Sequence, residues 1–224
     1  MDGADLSFHE HGAARHDRAV LPVLDGLEPV LASCPPDRAG VRLHGRPGLA
    51  SLLAPESPIG RIVAAYLGPE ARPVRAILFD KTPRANWGLC WHQDRTVAVR
   101  ERREAPGYGR WSTKTGVQHV EPPFAVIEAM VTLRIHLDDV PADNAPLLVA
   151  PRSHRLGRLA EPDIAGAVER CGRAICLAER GDVWAYATPI LHASAASNGH
   201  THRRVLHLDY SARKLDAPLE WLGI

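Results

Sequence analysis

Apolar runs long enough to cross a bilayer are missing from this 224-residue sequence, so no membrane-spanning helix is expected. A surplus of either charge is missing too. Lysine and arginine total 27 against 26 aspartates and glutamates, a formal net charge of +1, which removes the case for nucleic acid or an acidic membrane as partner. Cysteine is scarce. Cys34, Cys90, Cys171 and Cys176 include no C-x-x-C pair, so zinc-ribbon and thioredoxin-type chemistry has no support. The opening stretch, MDGADLSFHEHGAARHD, is acidic and polar and has no apolar h-region. A cytoplasmic protein with reduced thiols is the expectation. Internal repeats and low-complexity tracts are absent as well.

What is present is an ordinary globular balance, 45% hydrophobic and 24% charged, at a length that suits one domain over residues 1–224. Nineteen prolines and eighteen glycines, spread along the chain, predict many turns and a β-rich fold. Residues 1–73 read as mostly helical packing. Residues 17–33 have mixed helical spacing interrupted by Pro22 and Pro29, and 58–67 predict a short helix with proline near its start.

From Val74 the pattern changes. VRAILFDK (74–81) predicts a strand with Ile77, Phe79 and Lys81 on one face. LCWHQD (89–94) predicts a second strand or strand end. Residues 95–124 read as charged, aromatic and irregular, and 95–128 as a lid or insert that shapes substrate choice. Within it Trp111 is the candidate pocket wall. A turn and a strand follow over 126–139, another strand over 146–151, and a short helix or lid over 161–172. AICLAE, GDVWAYAT, ILHASAAS and RRVLHLDYSA then predict four strands in meander order. The fold class expected is mainly β with flanking helices, a double-stranded β-helix (jelly roll, cupin-like) with its core in 74–210.

Two imidazoles and one carboxylate on one face of an octahedron suit iron(II) chemistry, because the other three positions stay open. A strand places i and i+2 on the same face, so H-x-[DE] can supply two ligands. Four pairs fit: His92/Asp94, His119/Glu121, His136/Asp138 and His207/Asp209. Context favours the first, which follows a strand and a glycine turn and opens the long irregular segment. Far downstream, His192 ends an apolar strand, and Arg203 starts another eleven positions later. An arginine there can pair bidentately with a carboxylate; a solvated strand edge is the alternative for Arg203 and Arg204.

The stretches ILFDKTP (77–83), WHQD (91–94), RIHLDDVPADNAPLLVAPRSHRLG (134–157), GDVWAY (181–186) and ILHASAASNGHTHRRVLHLDY (190–210) resemble, in order and spacing, the phytanoyl-CoA dioxygenase family of iron(II)- and 2-oxoglutarate-dependent oxygenases. The resemblance implies that His92, Asp94 and His192 are the iron ligands and that Arg203 binds the distal carboxylate of 2-oxoglutarate. It implies that Lys81 contacts cosubstrate or substrate, or caps its strand end. Arg134 stands where relatives often place a cosubstrate-contacting aromatic. Ser194 is placed to bond the cosubstrate, with a local turn bond as the alternative. Iron(II), 2-oxoglutarate and dioxygen are the implied cofactor and cosubstrates. Hydroxylation of an unactivated carbon of a small molecule, with release of succinate and carbon dioxide, is the implied reaction. Asp94 argues against the related halogenases, which leave that position for chloride.

This sequence departs from the family pattern at two turns, where PRSH (151–154) and Asn144-Ala145 stand in place of glycine-containing motifs. That puts the local backbone in question, and His154 reads as a structural turn residue. His207 and Asp209 read as polar groups facing inward with Arg203, ahead of a second metal site. Two rival readings are a cupin-like metal enzyme that does not use 2-oxoglutarate and a non-catalytic jelly-roll binding module.

Overall fold

Alternation of side-chain type along the strands decides which face each sheet turns inward. In the computed structural model, which describes residues 3–35, 38, 40–198 and 202–224, the strands in chain order are β1 (Ala13–His16), β2 (Val41–Arg42), β3 (Arg72–Lys81), β4 (Leu89–His92), β5 (Val97–Val99), β6 (Gly109–Lys114), β7 (Val117–Glu121), β8 (Met130–His136), β9 (Leu147–Val149), β10 (Ala174–Cys176), β11 (Val183–Ala187), β12 (His192–Ser194) and β13 (Arg203–Ser211). The helices are α1 (Phe8–His11), α2 (Leu21–Ala32), α3 (Leu49–Leu52), α4 (Pro58–Leu67), α5 (Phe124–Glu128) and α6 (Ile164–Cys171). A large antiparallel sheet has the order β1-β11-β8-β13-β3-β2, and a smaller one β10-β9-β12-β4. Together they form the expected double-stranded β-helix.

Strand β8 shows the rule. Val131, Leu133 and Ile135 point one way and join Ala76, Leu78, Leu206, Leu208 and Tyr210 in a core shared with Leu24, Leu27, Ile59 and Val63 of α2 and α4. Thr132, Arg134 and His136 point the other way. Alternation of this kind ordinarily marks a strand with one wet face, yet all seven residues of β8 are buried. The polar set therefore lines an interior between the two sheets. Farther along the same inner layer, Trp184 and Tyr186 of β11 pack on Leu147, Val149 and Cys176 of the smaller sheet. Helix α4 follows the expected span: Ser57 caps it by accepting from the Gly60 N–H at 3.0 Å, and Pro58 opens its first turn.

Two expectations are corrected by the structure. The last four strands do not form a meander. β11 and β13 flank β8 in the large sheet, whereas β10 and β12 flank β9 in the smaller one, so the chain crosses between sheets at each step. Residues 95–124 are not irregular throughout. β5, β7 and β6 form a third antiparallel sheet, closed at its tip by Thr115 and Gly116, both at positive φ (52° and 80°), as a two-residue hairpin turn requires. The irregularity read from sequence reflects a register shift between Gly109 and Ser112, which breaks the period of two. The first 73 residues carry α1 to α4 and also supply β1 and β2, which complete the two edges of the large sheet; segments of four and two residues carry no period, and pairing with a neighbour decides their state. The four cysteines are free, and among the described residues no helix is long and apolar enough to cross a membrane.

Candidate metal centre

His92 and His192 face each other across the antiparallel pair β4–β12, with their ring centroids 4.3 Å apart. Asp94 lies two residues beyond His92, where an extended chain returns to the same side. The ligand atoms of the three residues all lie within 4.8 Å of one another. Each imidazole is oriented from behind. His92 Nδ1 is 2.7 Å from the Cys90 carbonyl and His192 Nδ1 3.0 Å from the Ile190 carbonyl. A carbonyl only accepts, so Nδ1 carries the proton in both rings and each Nε2 keeps its lone pair for a metal. Burial, and then His92, push His192 down to about 4, which keeps it in the neutral, ligating form. Burial works against ionisation of Asp94, but His192 and Arg75 outweigh it and hold the carboxyl below its ordinary value. Asp94 Oδ2 is buried without a hydrogen-bond partner. Two imidazoles, each with Nδ1 engaged by a backbone carbonyl, and a carboxylate oxygen without a hydrogen-bond partner, all lining one cavity, fit a divalent iron with open positions.

Beside these groups stands a set of buried cations. Arg203 is 1% exposed, and its Nε and Nη2 have no hydrogen-bond partner. Lys81 lies opposite Arg203 in the β13–β3 register; its ammonium donates to Ser194 Oγ at 3.0 Å and to the Ala195 carbonyl at 2.5 Å. Arg134 sits 5.9 Å above the Phe79 ring with its Nε unpartnered. Burial, then the charges of Arg203 and Arg134, push Lys81 down to about 7. Burial, then Arg134, push Arg203 down to about 9. Among the described residues no carboxylate relieves either group. Like charges held together with donors unused form a receptor for an anion, and a carboxylate matches the guanidinium fork.

Both sets line one cavity of about 440 Å³, reached by residues of β2, β3, β4, β6, β8, β12 and β13. A larger hollow of about 590 Å³ lies elsewhere, between α2 and the large sheet. It contains neither set, and the Arg204 guanidinium there is already paired with Asp138 and Glu28.

Of the residues singled out from sequence, the structure brings His92, Asp94, His192, Lys81, Arg134, Ser194 and Arg203 to this cavity. Ser194 is engaged with Lys81 and with the Ala145 carbonyl at 3.2 Å. Trp111 is not brought there. It packs beside the apolar cluster of Val97, Val99 and Val120, under the Arg102 guanidinium. His154 stands against Gly12, where a Cβ would meet its ring at 2.2 Å, in keeping with a turn residue.

Sequence reasoning missed Arg75. Its guanidinium binds Asp209 and lies 3.8 Å from Asp94, while Asp209 also accepts from Thr132 at 2.9 Å and approaches His207 Nε2 at 3.1 Å. Asp94, His207 and Asp209 also converge, but the Arg75 cation already meets the charge of that group. The signal was available: Arg75 precedes Ile77 by two and continues the inward stripe of β3. Gln93 and Arg42 were missed as well, and no periodicity marks them; Lys114, which also lines the cavity, lies within the 95–128 segment expected to shape substrate choice.

The sequence model of one family, Phytanoyl-CoA dioxygenase (PhyH), matches residues 56–205. None of the curated proteins matches the chain. Among solved structures, EctD from S. alaskensis with 2-oxoglutarate and 5-hydroxyectoine is similar at a TM-score of 0.67 and 16% identity, over 100% of this chain and 82% of that one. The epimerase SnoN from nogalamycin biosynthesis, in complex with Fe3+, alpha ketoglutarate and nogalamycin RO, gives 0.63 and 15%, over 97% and 84%. EvdMO1 gives 0.61 and 18%, over 91% of this chain, which spans only 48% of that protein's length. At these identities the likeness is one of fold.

Proposed function

The chain belongs to the phytanoyl-CoA dioxygenase family, and from that premise we propose that it is an iron(II)- and 2-oxoglutarate-dependent oxygenase in which His92, Asp94 and His192 hold the iron and Arg203 holds the far carboxylate of 2-oxoglutarate. Lys81 and Arg134 complete the anion receptor, with Ser194 fixing the Lys81 ammonium. The observation that carries the reading is the pairing, in one cavity, of a three-ligand cluster with buried guanidinium donors that have no partner. Either alone has a structural explanation; a bidentate metal-binding acid with a second carboxylate satisfies both.

Iron(II) held there would, with 2-oxoglutarate and dioxygen as cosubstrates, supply an oxidant able to attack an unactivated C–H bond, one oxygen atom of dioxygen going into succinate as carbon dioxide is released and the other to the substrate. The residues do the rest. Nδ1 bonds to backbone carbonyls fix both imidazoles, Arg75 keeps Asp94 ionised, and the sheet walls exclude bulk water. We propose hydroxylation of a small molecule as the outcome. The Asp94 carboxylate at the third protein position supports this over halogenation, and the EctD complex contains a hydroxylated compound. SnoN is described as an epimerase, so product mass is the deciding measurement: one oxygen gained for hydroxylation, none for epimerisation.

The binding assignment is tested without a substrate. Anaerobic addition of iron(II) and 2-oxoglutarate is expected to give a weak visible metal-to-ligand charge-transfer band, lost in His92→Ala and weakened in Arg203→Ala. A wild-type protein with no band at saturating iron and 2-oxoglutarate overturns it and favours a cupin-like enzyme without this cosubstrate.

A further inference from the structure

The cations of the cavity fall into two sets. Lys81 feels the charges of Arg203 and Arg134, and Arg203 that of Arg134. Arg42 and Lys114 instead feel Arg75 and, for Lys114, also Arg42 and Asp94. The first set has a use in the proposed chemistry. In the second, Arg75 is met by Asp209 and Asp94, but Arg42 and Lys114 have no such role. Arg42 lies opposite Ile77 at the edge of the large sheet. Its Nη1 donates to Thr115 Oγ1 at 3.0 Å, which ties it to the tip of the β6–β7 hairpin, and its Nε is buried without a partner. Lys114 is the last residue of β6, in the same hairpin. The carboxylate it senses is Asp94, already committed to Arg75 and to the metal. Two cations from separate elements thus converge on the cavity, and among the described residues neither has an anion of its own.

We propose that Arg42 and Lys114 bind an oxyanion of the substrate, so that the substrate is a small molecule bearing a carboxylate or a phosphoryl group. This rests on the assignment of iron and 2-oxoglutarate above, because it is that assignment which uses the other cations. Three observations support it. A guanidinium and an ammonium supply charge-assisted donors that neutral groups satisfy poorly. Arg42 lies outside the family-matched residues 56–205, where a feature particular to this chain's substrate can reside. The cavity, at about 440 Å³, is at the small end for ligand sites and must also hold the cosubstrate, which limits the size of what Arg42 and Lys114 can meet.

The test uses the full chain loaded anaerobically with iron(II) and 2-oxoglutarate, and three matched probe pairs: benzoate and benzamide, hexanoate and hexanamide, phenyl phosphate and phenol. Binding is read by calorimetry, with the charge-transfer band recorded in the same samples. Anions are expected to bind in preference to their neutral partners, with the band retained; carboxylates against phosphate esters then identify the oxyanion. Arg42→Gln and Lys114→Gln should each weaken that binding roughly 10- to 100-fold, and Lys214→Gln, which removes an exposed charge elsewhere, should not. Lys114 is exposed, so its variant reports even if Arg42→Gln folds poorly. Equal binding of neutral partners, no anion binding across the panel, or displacement of the band by the anions each overturns the proposal. Absence of the band before any probe is added marks failure of the iron and 2-oxoglutarate assignment instead.

Discussion

Gln93 stands between two proposed ligands and points away from both. On an extended segment His92 and Asp94 share the cavity side, so Gln93 enters the opposite side, where it is 4% exposed. Its amide donates to the carbonyls of Gly157 and Pro189, each at 2.9 Å, and its oxygen accepts the Leu159 N–H at 3.0 Å. These bonds tie the ligand-bearing turn to the 157–159 loop and to a residue three before His192. Gln93→Ala leaves two carbonyls and one N–H unmet, and is expected to lower stability by about 2–4 kcal/mol and iron affinity roughly 10- to 100-fold. Gln93→Glu cannot donate to the two carbonyls and should fare no better. Iron titration on folded protein, beside urea unfolding, checks this; a Gln93→Glu variant that binds iron as tightly as wild type would exclude a positioning role. Residues of this kind explain what stayed hidden in the sequence. H-x-D advertises its ends, because ligand chemistry restricts them to few residue types. The residue between them is defined by three backbone groups far along the chain, and nothing in a local pattern encodes those.

At the scale of elements, legibility followed length and regularity. β3, β8 and β13 run for seven to ten residues, so the strands were readable despite a register shift between Asp209 and Tyr210, and in β3 so was the face that carries Lys81; the roles of Arg134 and Arg203 came from the family resemblance. The β5–β7 sheet was not, since short strands and a bulge leave too few repeats of the period. The turns around β9 are a separate case. Ala145 and Arg152, which replace glycines of the family pattern, adopt φ of 50° and 70°. The backbone has kept the left-handed geometry that suits glycine, and non-glycine side chains bear a cost of about 1–2 kcal/mol each. Arg152 offers the cleaner test. Its side chain is exposed and pairs only with the equally exposed Glu10, a contact worth little. Arg152→Gly is expected to raise stability by about 0.5–1 kcal/mol after the added chain entropy of glycine is subtracted, whereas Arg152→Ala, which keeps the strain, should not. Equal urea midpoints for the two variants would show that the turn is unstrained.

For the whole molecule, a net charge of +1 conceals a strong internal separation. Cations gather in the cavity, and their repulsion, together with buried neutral histidines, sets how stability responds to pH. Burial holds His119 and His192 down to about 4, and His136 well below its ordinary value of 6.5. Between pH 6.5 and 4 the unfolded chain takes up protons that the folded chain refuses, so stability falls as pH falls. Lys81, held at about 7 rather than 10.5, acts over a higher window. Between pH 7 and 10.5 the unfolded state again binds the extra proton, so stability rises with pH. Asp209, pulled below its ordinary value by Arg75 and His207 against the effect of burial, loses its contribution in acid and adds to the same slope. Each of these groups pushes in one direction. Metal-free protein is therefore expected to gain stability from pH 4 to about pH 9, where many proteins pass a maximum nearer neutrality. Urea midpoints measured across that range test it, and a decline between pH 7 and 9 would contradict the burial of Lys81 among unpaired cations. Saturating 2-oxoglutarate with iron supplies the missing carboxylate and holds Lys81 protonated in the folded state. The alkaline rise should then flatten while the acid limb persists, because His119 and His136 lie outside the set that the cosubstrate is proposed to satisfy.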